Sequence, residues 1–252
     1  MADVTIADGR HAYRLQSLGR VFGWFFLATF LTSIPAYFIG YANILENPGL
    51  IAAGDDPTMS VGTAAALEVF LIVANVATAV LAYPVLKRES EIGAISYLSA
   101  RIIEGVFIAI GIVSALAFIL MRQEATGTDL IGEGLVALYY RAFLVGPGFM
   151  AGLANGVILG YLMYRSQLVP RGMAMLGLIG GPLVMISGIA IMLDLIERGG
   201  TLQVLSTVPE FFWELSLSLY CIVKGFRAAS PLFSGDAMTR LPESESAVRP
   251  GA

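Results

Sequence analysis

The sequence predicts an all-α, polytopic membrane protein with six transmembrane helices and one external interfacial helix. Of its 252 residues, 57% are apolar and 13% are charged, compared with about 45–50% and about 25% in ordinary soluble domains. Six apolar runs are long enough to cross a hydrocarbon core about 30 Å thick. The 15 Lys and Arg residues also fall mainly on one side of these runs, as the positive-inside rule requires.

The apolar runs define a single membrane domain at residues 20–228. The segment 1–19 is polar and lacks a signal-peptide cleavage site, so we expect it to remain as an N-terminal cytoplasmic segment. The segment 229–252 is rich in Pro, Ser and Glu, which predicts a disordered cytoplasmic tail. We predict spans at residues 20–41, 62–86, 94–121, 147–164, 172–196 and 209–226.

The distribution of basic residues predicts the orientation of the chain. With six spans both termini share one side, and that side would hold eleven of the 15 basic residues. The opposite side would hold three, Arg122, Arg141 and Arg198, and Arg101 falls inside a span. Both termini are therefore expected to be cytoplasmic.

Residues 129–145 are apolar enough for a helix but too many to join the fourth span, since the two together would measure about 54 Å. We expect the chain to break at the triplet Gly146-Pro147-Gly148. The segment before it is then an interfacial or partly inserted external helix. A seventh half-span is the alternative.

Glycine recurs at every fourth position of the fourth span. Such a stripe permits close backbone approach between helices in lipid. Packing against another helix of this chain is the simplest interpretation, and a dimer seam or a ligand-lined groove is the alternative. The stripe consists of Gly148, Gly152, Gly156 and Gly160.

Ionisable side chains inside spans are costly and mark candidate functional sites. Their depths predict an outer acidic pair, Glu68 and Glu214, above a deeper Arg101–Glu104 pair. These groups either fix helix packing through hydrogen bonds or bind a cation, a proton or a polar headgroup. The candidate polar intramembrane site comprises Glu68, Asn75, Arg101, Glu104, Arg141 and Glu214.

Several functional classes find no support in the sequence. One histidine, His11, and one cysteine, Cys221, are too few for a His-based metal or haem site, and we expect no cofactor. The net charge of −4 does not favour nucleic-acid binding. Hydrolase, P-loop and dinucleotide motifs are absent from the sequence, so we do not expect an enzyme.

The segment 160–171, GYLMYRSQLVPR, resembles the signature loop of a bacterial membrane family catalogued as a domain of unknown function, family 4386. Further resemblance lies in Ala100-Arg101-Ile102-Ile103-Glu104, Leu176-Gly177, Glu214-Leu215 and Val223-Lys224-Gly225-Phe226. It covers about residues 14–228. The resemblance implies a bacterial inner-membrane protein of about six helices, and it implies no activity, substrate or catalytic residue.

That loop is predicted to be a tight cytoplasmic turn between two spans. Its arginines set the topology and its proline precedes the next helix; binding of a lipid phosphate or a protein partner is the alternative. The loop residues singled out are Tyr164, Arg165, Ser166, Pro170 and Arg171.

These patterns together favour a bilayer-embedded protein that handles a small solute, ion or lipid through a polar intramembrane cavity. The alternative is a non-transporting membrane sensor or assembly partner that binds another protein. The expected partners are the lipid bilayer and either a second copy of the chain, in a homo-oligomer, or another membrane protein. Neither interpretation identifies the ligand.

Overall fold

The structure, a computed structural model, describes residues 2–42, 58–123 and 129–233, with side chains at 16–42, 59–121 and 130–233. Every regular element within these ranges is helical. We number six long helices. They are α1 (Ala2–Ala36, followed by a π-helical turn at Tyr37–Tyr41), α2 (Thr58–Leu86), α3 (Glu91–Gln123), α4 (residues 129–166), α5 (Arg171–Met192) and α6 (Thr201–Lys224).

Five of these helices, α1 to α5, are long and apolar enough to cross a membrane. The chain is therefore an integral, multi-pass membrane protein. The sixth predicted span lies in α6, which has 24 residues but is not among the five. The helix carries Glu210, Glu214 and several hydroxyl groups, which lower its mean hydropathy.

Helix α4 does not break at the glycine–proline–glycine triplet, contrary to the sequence prediction. It runs as Asp129–Val145, continues through π-helical turns at Gly146–Met150 and Gly152–Leu159, and ends with Gly160–Ser166. Proline removes one backbone donor, but neighbouring helices and local π geometry allow a helix in a membrane to continue past it. Residues 129–145 are thus the first half of the helix that contains the fourth predicted span.

Helices α3 and α4 pack antiparallel along their length. A Cβ on Gly111 would meet the ring of Tyr139, and the Ser114 hydroxyl donates to the carbonyl of Leu135 at 2.6 Å. With 33 residues, α3 measures about 50 Å, which exceeds a hydrocarbon core of about 30 Å. The paired ends of α3 and α4 therefore extend past the neighbouring helix α5, whose 22 residues measure about 33 Å.

The remaining helices complete one bundle. Helix α1 packs on α2 and on α6, and α6 packs on α5. A Cβ at Gly19 in α1 would collide with Phe226, and Gly225 lies against Gln16. The part of α1 near Gln16 therefore contacts the chain where α6 ends. We call this the basic end, because it also holds Lys87, Arg88, Arg165, Arg171 and Lys224; the opposite end is the far end.

Two apolar clusters enclose the centre of the bundle. The larger, at the basic end, includes Phe22, Tyr97, Met163 and Trp213, and a smaller one at the far end includes Phe118. At the start of the predicted tail, a 3-10 turn at Pro231–Phe233 packs against the larger cluster through Leu232. The remainder of that tail, residues 234–252, lies outside the described part of the chain.

Candidate functional site

A polar cavity of about 180 Å³ lies between the two apolar clusters. Five of the six candidate intramembrane residues line it: Glu68, Asn75, Arg101, Glu104 and Glu214. They come from α2, α3 and α6. Helices α1 and α4 complete the wall with Thr29, Ser33, Tyr37, Tyr139, Phe143, Pro147, Ala151 and Asn155. We refer to this space as the polar cavity.

Arg101 and Glu104 form a buried ion pair at the centre of the wall. Arg101 Nη1 lies 2.7 Å from Glu104 Oε2, and the arginine is only 2% exposed. Asn75 closes a triangle, since its amide donates to Glu104 Oε1 at 3.0 Å and its carbonyl accepts from Arg101 Nη2. The guanidinium also lies 5.8 Å from the Phe26 ring centroid. Most polar atoms of this triangle are thus already paired.

Glu68 lies nearest the far end and is held by two tyrosines. The hydroxyls of Tyr41 and Tyr139 donate to its two carboxyl oxygens at 3.0 and 3.2 Å. The two rings pack with centroids 4.8 Å apart. Neither partner carries a positive charge, so a charge on Glu68 would be stabilised by hydrogen bonds alone.

Glu214 lies towards the basic end, where Asn155 positions it. The Asn155 amide donates to Glu214 Oε1 at 2.5 Å, and its side-chain carbonyl accepts from the Tyr97 hydroxyl at 3.3 Å. Trp213 Nε1 donates to the Asn155 backbone carbonyl at 2.9 Å. Asn155 stands in the π-helical part of α4, where irregular hydrogen bonding frequently accompanies function.

The vertical order of these residues differs from the sequence prediction. Glu68 and Glu214 lie at different depths along α3. Tyr139, which donates to Glu68, packs near Gly111 of that helix. Asn155, which donates to Glu214, accepts a hydrogen bond from Tyr97 of the same helix. The reason is the start of α6. It begins at Thr201 rather than at residue 209, so Glu214 is about 20 Å rather than about 8 Å from the first residue of its helix.

Arg141 does not line the polar cavity. It lies at the far end, in a separate surface cavity of about 470 Å³ whose other charged lining residues are Asp194, Glu197 and Arg198. Arg141, a member of the candidate site, is therefore separated from the carboxyl groups of the polar cavity. Its position follows from the helical turn, since Tyr139 rather than Arg141 points at Glu68.

A larger cavity of about 660 Å³ adjoins the polar cavity on the side nearer the far end of the bundle. The two share Tyr37, Tyr139 and Phe143 as lining residues. Most of its remaining wall is apolar, and Arg198 lies at its edge with its guanidinium 3.0 Å from the Tyr140 ring centroid. We call this space the aromatic cavity.

Three of the four stripe glycines pack on α5. A Cβ at Gly152 would lie 2.9 Å from the carbonyl oxygen of Gly181, and one at Gly156 would overlap the backbone of the same residue. At Gly160 the nearest atom would be the Leu178 nitrogen, 3.3 Å away. Gly148 differs, because the atoms nearest its Cβ position belong to α4 itself. The contact lies within one chain.

The turn between α4 and α5 is tight, and its two arginines contact other side chains of the same protein. Gln167 adopts a left-handed conformation with φ of 54°, and Pro170 directly precedes α5. Arg165 lies 3.3 Å from Glu89, and Arg171 lies over the Tyr164 ring at 5.4 Å. The Ser166 carbonyl accepts a hydrogen bond from the Ser230 hydroxyl at 2.6 Å.

Sequence reasoning missed Glu210, which is only 5% exposed. Both of its carboxyl oxygens are buried without a hydrogen-bond partner. Its position one helical turn before Glu214 could have drawn attention to it. Tyr97 and Asn155 were also missed, although an asparagine inside a glycine-rich apolar span is itself unusual.

The chain matches a protein family described as a domain of unknown function (DUF4386) over residues 21–225. The chain belongs to this family. The matched region begins in α1 and ends just after α6, so it includes every residue that lines the polar cavity. No curated protein and no solved structure matches the chain. Membership of DUF4386 assigns no activity.

Proposed function

We propose that this protein binds a small cationic solute in the polar cavity and moves it across the membrane. The observation that carries the proposal is an excess of acid in a buried space. Three carboxyl groups, those of Glu68, Glu104 and Glu214, line the polar cavity, against the one guanidinium of Arg101. Because Arg101 pairs with Glu104, two acids remain for a ligand.

The environment of these two acids suits a positively charged ligand. Tyr41, Tyr139 and Asn155 donate to Glu68 and Glu214 but carry no charge themselves. A cation would supply the missing charge in a medium where opposite charges attract strongly. A volume of about 180 Å³ suits a solute of a few heavy atoms or a partly hydrated ion.

The aromatic cavity supports entry from the far end. It shares three lining residues with the polar cavity, so movement of Tyr37, Tyr139 or Phe143 would connect the two spaces. Aromatic side chains attract cations through their ring faces. Tyr139 also donates to Glu68, which would couple this movement to the charge of the site.

We further propose that the chain crosses a bacterial inner membrane six times. Both of its termini would then lie in the cytoplasm. Helix α6 packs on α1 and α5, and its end meets the start of the described part of α1, which supports counting it as the sixth span. The basic end would face the cytoplasm. The extension of α3 and α4 would then lie at the outer surface.

A binding experiment tests this function. We would measure the thermal stability of the purified chain in detergent with sodium, potassium, ammonium, methylammonium and guanidinium chlorides. At least one cation should raise the melting temperature, because a ligand that binds only the folded state stabilises it. Uptake of that cation into proteoliposomes then tests movement across the bilayer.

Matched variants localise the effect. Glu214→Gln and Glu68→Gln preserve a carbonyl acceptor and remove the charge, and each should weaken binding at least about tenfold, or about 1.4 kcal/mol. Glu133→Gln is the control, since Glu133 is exposed on α4. Equal stabilisation in all four proteins would contradict the proposed site. Absence of stabilisation by every cation would contradict the ligand class.

A further inference from the structure

We propose that Glu210 is a second functional group, a proton-binding site enclosed between α4, α5 and α6 and separate from the polar cavity. Glu210 is 5% exposed, and neither of its carboxyl oxygens has a hydrogen-bond partner in the described part of the chain. It does not line the polar cavity. Proton binding at Glu210 is independent of which solute the polar cavity takes.

The carboxyl group packs directly on glycine backbone. A Cβ built on Gly156 would lie 2.6 Å from Glu210 Oε2, and one on Gly180 would lie 2.7 Å from the same atom. Gly181 lies beside them, against Gly156. We call these three residues the glycine patch. No metal ion with its ligands fits between the carboxyl oxygen and the patch, so the bound species has to be as small as a proton.

The surrounding charges do not compensate an ionised Glu210. Helices α5 and α4 face it with glycines, and neither has a titratable residue between Gly172 and Met192 or between Gly146 and Gly160. Helix α1 has none between Val21 and Ala36. The charged groups that act on Glu210 are Glu214, one turn away on its own helix, and Arg101 from α3, which pairs with Glu104.

An isolated charge in this position would be costly, since a buried carboxylate needs a partner or a proton. The proton neutralises the group and allows α6 to stay in contact with the glycine patch. Loss of the proton would place a bare carboxylate against backbone, which favours separation of α6 from α5 or entry of water. Glu210 thus links proton binding to the contact between α6 and its neighbours.

Infrared spectroscopy of the full chain in nanodiscs tests the proposal. At neutral pH the wild type should show a carbonyl band from a protonated carboxyl group that Glu210→Gln lacks. Glu133→Gln, which alters an exposed acid on α4, should keep the band. If Glu210 is protonated, the change to Gln replaces one neutral group with another. The charge beside Glu214 then stays the same, and the difference between the spectra reports on Glu210.

Thermal unfolding gives a second readout. If the folded chain holds a proton that the unfolded chain releases, stability falls as the pH rises. The melting temperature of the wild type should therefore fall by a few degrees more than that of Glu210→Gln between mildly acidic and alkaline buffer. Identical bands and identical pH slopes in the two proteins would overturn the proposal.

A folding failure is also informative. Glu210→Met replaces the neutral acid with an unbranched apolar side chain of similar length, and it should fold if the group is uncharged. If both the Gln and the Met variants fail to fold, the site requires an ionised carboxylate and the proposal is wrong.

Discussion

Arg101 is the residue on which the buried polar groups depend most. Its guanidinium contacts Glu104 and Asn75 and packs near the Phe26 ring. Removal of one partner from a buried ion pair leaves an uncompensated charge, which costs more than the pair contributes. Arg101 therefore has a structural role as well as setting the charge of the polar cavity.

Replacing Arg101 should destabilise the protein strongly. We expect Arg101→Met to lower the free energy of unfolding in detergent by about 3–5 kcal/mol, because Glu104 loses its counter-charge. The double variant Arg101→Met/Glu104→Gln should recover part of that loss, since it buries no lone charge. Denaturant titration followed by tryptophan fluorescence measures both.

Arg165→Met is the control for this prediction. Arg165 is 58% exposed in its side chain and pairs with Glu89 near the basic end, where a surface pair contributes only about 0–1 kcal/mol. A loss in Arg101→Met no larger than in Arg165→Met would contradict the structural role of the buried pair.

The sequence predicted the polar intramembrane residues and the pairing of Arg101 with Glu104. It did not predict the hydrogen-bond partners of Glu68 and Glu214. Five of the six candidate residues line one cavity, because a carboxyl, amide or guanidinium group in an apolar helix has to avoid lipid. Arg141 lies elsewhere and Glu214 lies deeper than predicted. Helix rotation and the start of α6 decide these positions, and both are set by packing rather than by local pattern.

Helix α4 joins the predicted external helix and the predicted fourth span in one element. Its glycines contact α5, its π-helical segment contains Asn155, and its first half packs on α3. The glycine spacing predicted close packing, but it did not identify the partner helix. Pro147 predicted an interruption, and the neighbouring helices instead allow the chain to continue.

Gly156 should be the most sensitive position of this helix. We expect Gly156→Leu to cost about 1–3 kcal/mol or more and to reduce the yield of folded protein, because a Cβ there would overlap α5 and approach Glu210. Melting temperature and monodisperse yield in detergent measure the effect.

Gly134→Leu supplies a matched control in the same helix. A Cβ at Gly134 meets nothing within 4 Å, and removing an exposed helical glycine is favourable by roughly 0.5–1 kcal/mol. The milder Val157→Leu should also be tolerated. If Gly156→Leu behaved like Gly134→Leu, the close contact between α4 and α5 would not exist.

The whole bundle has two chemically different ends. The basic end gathers the short turns α2–α3 and α4–α5 and the end of α6, whereas the far end holds the aromatic cavity and the extension of α3 and α4. The basic asymmetry in the sequence predicted such a division. The length of the far-end extension was not predicted, because it depends on how α3 and α4 pair.

Labelling of single cysteines in intact cells tests the orientation. After replacement of Cys221 by alanine, an impermeant thiol reagent should modify Leu195→Cys at the far end and spare Ala228→Cys at the basic end. Both positions are exposed, so accessibility within the protein does not bias the result. The reverse pattern would contradict cytoplasmic termini.

The contact between α1 and α6 has a consequence for biosynthesis. Helix α1 leaves the ribosome first and α6 last among the long helices, yet Gly19 and Gly23 of α1 pack directly on the end of α6. At a synthesis rate of about 5–20 residues per second, this face of α1 therefore lacks its partner helix while α2 to α5 are made. Until α6 is made, Asn155 also lacks its partners Glu214 and Trp213, so its polar groups need another hydrogen-bond partner in the nascent chain.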